Sequence, residues 1–143
     1  MISHLSHTPI YVLNQDSAKD FYTRVLGFEV RSDVVMGEGF DGAGAGFRWL
    51  TVGPRDQPGV ELILADCSMG RDPEAAQKLR DLVSGGTMGA GVMATDDCRA
   101  TCDELRARGV AFIQEPADRP YGIEAVFRDD SGNWFTLTQR LTG

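Results

Sequence analysis

Apolar and polar positions alternate in short runs along this chain, and between the runs the repeat lengthens to that of a helix. Residues 8–13, Thr-Pro-Ile-Tyr-Val-Leu, read as a first strand. Asn14, Gln15, Asp16 and Ser17 then supply turn and cap oxygens, and Ala18, Phe21, Tyr22 and Val25 give residues 17–26 one apolar stripe at helical spacing. Gly27 is the expected helix stop, and Phe28 to Val35 is extended. Residues 47–52 and 60–65 read as two further strands, joined by a connection with two prolines. Asp72-Pro73-Glu74 opens a helix, with Ala75, Ala76, Leu79, Leu82 and Val83 on its apolar side and Gly85-Gly86 at its end.

The opening pattern then returns. A strand over 91–95 leads through Asp96 and Asp97 to a helix over 98–107, which Gly109 stops. Residues 110–113 are extended, 115–122 form a loop, and strands over 123–128 and 134–139 flank an Asp129-Asp130-Ser131-Gly132-Asn133 turn. The order is βαβββ, helix, βαβββ. This is an α+β chain built by internal duplication, with a first module over 1–66, a linker helix over 67–87 and a second module over 88–143, one compact domain overall.

Charge and composition narrow the partners. The net charge of −7 argues against nucleic acid, whose phosphates need a basic face. No run of 18 apolar residues is present to span a membrane, and the first residues lack a secretory signal pattern. Three cysteines, an odd number, fit a reducing cytoplasm better than a disulfide framework. Cys98 and Cys102 sit four apart on one helix and read as ordinary packing. The glycine-rich stretch 37–46 lacks the Gly-Lys-Ser/Thr ending of a phosphate loop and reads as a mobile loop suited to covering a pocket.

One polar residue breaks an apolar strand: Glu61, in Val-Glu-Leu-Ile-Leu-Ala. It needs water on one face or a partner. His7 and Arg48 are both within reach as partners, and Arg48 equally fits a solvated face. A Glu61 that is partly dry and incompletely paired would act as a general base, with His7 as acid or orienting group. A satisfied His7–Glu61 pair inside a binding cavity is the other reading.

His7 five residues before Val12, Phe21-Tyr22, Leu26-Gly27-Phe28, Val60-Glu61-Leu62 and the Asp129–Asn133 turn before the last strand are similar to motifs of the vicinal oxygen chelate superfamily. That superfamily holds glyoxalase I, bleomycin-resistance proteins and extradiol dioxygenases. The resemblance implies two βαβββ modules that bend into a cup-shaped sheet, a cavity closed by modules of one chain or of two, and a homodimer. It puts His7, Pro9, Tyr11, Glu61, Ile63, Trp134, Thr136 and Thr138 on the inner wall. Of four metal-ligand positions, His7 and Glu61 match; the other two fall at or next to Ala90 and at Thr136, which are poor donors. The implied function is binding of a small, partly aromatic molecule, with Tyr11, Arg48, Trp49, Tyr121, Trp134 and Thr136 as ligand contacts and no strongly bound metal. The alternative is a lyase, isomerase or dioxygenase that uses His7 and Glu61 on a weakly held divalent Zn, Ni, Fe or Mn.

Overall fold

The computed structural model describes residues 1–37 and 46–141. Most of the glycine-rich stretch expected to cover a pocket therefore lies outside the described residues. The chain runs β1 (His7–Val12), α1 (Gln15–Asp20), a π-helical turn (Phe21–Val25), β2 (Glu29–Met36), β3 (Phe47–Gly53) and β4 (Glu61–Asp66). After α2 (Pro73–Ser84) come β5 (Gly89–Ala94), α3 (Cys98–Ala107), β6 (Phe112–Arg119), β7 (Gly122–Arg128) and β8 (Trp134–Arg140). The strands form two four-stranded sheets of the same plan, β1-β4-β3-β2 and β5-β8-β7-β6. In each, the first strand lies parallel to the last and the remaining pairs are antiparallel.

Local chemistry accounts for the helix ends. The side chains of Asn14, Asp72 and Asp97 accept hydrogen bonds from the backbone N–H groups of Ser17, Ala75 and Ala100, so each helix begins on a capping oxygen. The expected uninterrupted first helix changes pitch: the Leu26 N–H reaches back to the Phe21 carbonyl, five residues away. This wider turn carries Tyr22 and Val25 into the core, where both are buried.

A second departure concerns residues 115–122, which read as a loop. The backbone is a strand through Arg119, and only Pro120 and Tyr121 remain as a turn before β7. Pro116 carries a loop signal in the sequence. It lies where the β6–β7 register slips, between Gln114 and Ala117, on an edge strand, which is where a residue without an N–H is tolerated in a sheet. On α2, Ala76 and Val83 are buried as expected, but Leu82 is exposed.

One face of each sheet joins a common core. Ile10, Val12, Leu50, Val52 and Leu64 of the first sheet cluster with Ala125, Phe127, Phe135 and Leu137 of the second, with Ala18, Tyr22, Cys98, Cys102 and Leu105 from the helices between them. Burial pushes the Cys102 thiol up to about 12, and it stays protonated, as a packing residue should. The two sheets are also clasped by polar bonds. The buried Tyr22 hydroxyl donates to Asp129 Oδ2 at 2.7 Å. Asp129 Oδ1 accepts the backbone N–H groups of Ser131, Gly132 and Asn133. The Asn133 amide donates to the Tyr11 carbonyl, and the Ser131 hydroxyl accepts from the Leu13 N–H. The aspartate-rich turn expected from the sequence is thus the clasp that holds the first sheet's leading strand and helix to the second sheet.

Candidate ligand-binding face

The faces of the sheets turned away from this core carry the polar residues. In the first sheet, register sets His7 beside Glu61, Pro9 beside Ile63 and Tyr11 beside Ala65. Thr51 pairs with Ile63 from the other side, which places Trp49, two residues earlier on β3, on the same face. His7 Nε2 lies 3.4 Å from Glu61 Oε2, and Glu61 Oε1 accepts the Thr51 hydroxyl at 2.6 Å. The other imidazole nitrogen meets the Ser6 hydroxyl at 2.9 Å. The His7 ring sits 5.8 Å from the Trp49 ring. Side-chain exposures of 35% for His7 and 27% for Glu61 leave both within reach of a molecule on this face. Four of the residues singled out from sequence therefore share one surface: His7, Glu61, Trp49 and Tyr11.

Arg48 does not. It lies on the opposite face of β3, with Leu50 and Val52. There its guanidinium donates to both Asp33 oxygens and to Asp16. Those bonds, with a further one from Lys19, hold the Asp33 carboxyl far below the usual carboxylate range, and the two aspartates raise Arg48 in turn. The partner of Glu61 is His7 rather than Arg48. Trp134 and Thr136 lie on the outward face of the second sheet, next to Arg128 and Val126 of β7. Tyr121 is half-exposed in the turn before β7, and its hydroxyl donates to Glu124 at 2.5 Å. That bond, joined by one from Arg119, lowers the Glu124 carboxyl.

Sequence reasoning missed two residues on the first face. Thr51 was legible, since strand alternation pairs it with Trp49. Arg71 was not: it follows β4 in an irregular segment, yet its guanidinium lies 4.3 Å from the centre of the Tyr11 ring.

A separate crevice of about 630 Å³ opens on the core side, lined by Thr8, Leu26, Phe28, Leu62, Met93 and Leu105 among others. Its lining is mainly apolar, with Thr8, Gln57, Thr95 and Thr101 as its polar side chains and no charged side chain among the described residues.

Among the described residues no three His, Cys, Asp or Glu side chains converge as ligands. His7 and Glu61 make two donors, and one Glu61 oxygen is engaged by Thr51. A zinc-like site takes three or four protein ligands, so these residues of one chain do not fit such an ion.

Comparison with known proteins agrees with this architecture. The family model for the Glyoxalase/Bleomycin resistance protein/Dioxygenase superfamily matches residues 4–137. The uncharacterized protein YurT of Bacillus subtilis (strain 168) is 35% identical over 134 residues, covering 93% of this chain and 96% of that protein. The crystal structure of UcmS2 is similar with a TM-score of 0.88 at 51% identity, covering 97% of this chain and 99% of that one. The crystal structure of TnmS3, an antibiotic binding protein from Streptomyces sp. CB03234, is similar with a TM-score of 0.72 at 32% identity, covering 98% of each chain. With its paired four-stranded sheets and a family match over nearly its whole length, the chain belongs to the Glyoxalase/Bleomycin resistance protein/Dioxygenase superfamily.

Proposed function

We propose that the protein binds a small, partly aromatic molecule on the face carrying His7 and Glu61, without a strongly bound metal. The observation that carries this reading is the His7–Glu61–Thr51 group standing beside Trp49 on a half-open sheet face. It offers a hydrogen-bonding end and a flat apolar surface at one place, which is how small-molecule sites are built. Similarity to an antibiotic binding protein at 32% identity supports the same class of function.

The cup needs a second wall, and a second copy of the chain supplies it. Within one chain, both sheets turn their other faces into the shared core, while the outward faces remain partly open, with Val34 of the first sheet 47% exposed and Val92 of the second 66% exposed. A homodimer sets the first-sheet face of one copy against Trp134, Thr136 and Tyr121 of the other. Residues 1–66 and 88–143 then act as the two half-cups, bridged by 67–87. The cytoplasm suits the three free, buried cysteines. Glu61 is paired with His7 and accepts from Thr51, which suits the satisfied polar pair of a binding cavity.

Titration of EDTA-dialysed protein with 4-hydroxybiphenyl, read by tryptophan fluorescence, tests this reading. Affinity should stay within about twofold of that before dialysis. Binding lost on dialysis and restored by zinc or manganese would favour a metal-dependent enzyme instead.

A further inference from the structure

The face that holds His7 and Glu61 has a second polar end. Tyr11 belongs to the same face of β1 as His7, four residues further along, which places the two about 13 Å apart at ~3.3 Å per residue. One face of its ring is covered, because the Arg71 guanidinium stacks on it at 4.3 Å. The Arg71 guanidinium donates one hydrogen bond, to the Met69 carbonyl at 3.1 Å, and makes no ion pair with a carboxylate among the described residues. A guanidinium carries five N–H donors, and among the described residues one of them is engaged. Stacking and the carbonyl bond fix its plane in advance, the arrangement that suits recognition of a planar oxyanion. Between the two ends lie Pro9 and Ile63, an apolar floor.

We propose that Arg71 is a specificity-determining residue that binds an anionic or strongly accepting oxygen of the ligand, with Tyr11 as its platform. This rests on the ligand-binding reading above and adds to it a polarity. The Glu61 end accepts, and so takes a hydroxyl or amine donor. The Arg71 end donates, and so takes a carboxylate, a phenolate or a conjugated carbonyl. The preferred ligand is a flat, elongated molecule with a donor at one end and an acidic or carbonyl oxygen at the other. In a chain of net charge −7, an anionic ligand would otherwise meet repulsion on approach, and a fixed guanidinium with no carboxylate partner among the described residues answers that cost locally.

Calorimetric titration with two rods of one skeleton separates the claims: 4-hydroxybiphenyl, and the same molecule carrying a carboxylate at the far end, 4′-hydroxybiphenyl-4-carboxylate. Wild-type protein should bind the carboxylate form more tightly. Arg71→Met keeps the stem and removes the charge; it should weaken the carboxylate form about tenfold, the loss expected for one charge-assisted contact, and leave 4-hydroxybiphenyl unchanged. Tyr11→Leu should reproduce part of the loss with the same selectivity. Equal effects on both rods, or none on either, would overturn the role of Arg71 while leaving the binding face intact. Failure of wild-type protein to bind either rod would overturn the binding face itself, and the Arg71 proposal with it.

Discussion

Tyr22 shows how much of this fold hangs on one hydroxyl. It is fully buried, and its hydroxyl donates to an aspartate that also receives three backbone N–H groups and the Asn133 amide. Burial first, and the Asp129 charge second, push the phenol well above its ordinary range. Tyr22→Phe removes the donor and leaves a buried carboxylate oxygen short of one bond. It should cost about 1–3 kcal/mol in chemical denaturation, a loss that urea unfolding curves at neutral pH would measure. Asp33 makes a different residue-scale prediction. Arg48 foremost, then Lys19, depresses its carboxyl in the folded state. A depressed carboxyl stabilises the fold above its unfolded value, about 3.9, and loses that contribution as pH falls through the folded value. Thermal melts of wild type and Asp33→Asn should therefore differ at pH 7 and converge on acidification below about pH 4. A gap that is constant with pH would detach the effect from this ion pair.

At the scale of elements, two glycines separate backbone conformation from space. Gly27 ends the first helix at φ +80° with nothing near an added Cβ. Gly27→Ala should cost only the left-handed penalty, about 1 kcal/mol. Gly122 starts β7 at φ +147°, and an added Cβ would lie 2.0 Å from the Gln139 carbonyl oxygen. Gly122→Ala must displace backbone in the β7–β8 pair and should cost about 3 kcal/mol or more; calorimetric melts of the two variants would rank them. Gly27 was legible because a glycine after a helical stripe has one common meaning. The strand through Glu115 was not, because Pro116 carries the same signal in a loop as at an edge-strand irregularity. The π-helical turn was equally hidden, since Phe21, Tyr22 and Val25 fit an apolar stripe at either pitch. The faces of strands were better marked. Alternation sorted each strand's faces and the family resemblance put His7 and Glu61 on one wall, but nothing in the hairpin before β4 told which face Arg48 takes; in the structure it meets the carboxylates of Asp16 and Asp33.

At the scale of the molecule, the repeated element order made the architecture readable and left the site half-described. Each module repeats strand, helix and three strands, so the two sheets could be anticipated. Where their free faces go depends on contacts far apart in sequence, such as Tyr22 with Asp129 and Ser131 with Leu13, which no local pattern records. If a second copy closes the cup, sedimentation equilibrium at micromolar protein should report twice the 15.6 kDa chain mass; a monomer would leave the His7 face uncovered and weaken that part of the account. The claim beneath all of these is that the ligand sits on the His7–Glu61 face. Amide chemical-shift mapping during titration with 4-hydroxybiphenyl tests it most directly. The largest shifts should fall at His7, Trp49, Thr51 and Glu61, with Arg48 and Asp33 little changed. Shifts gathered instead on Leu26, Phe28, Leu62 and Leu105, around the core-side crevice, would contradict it.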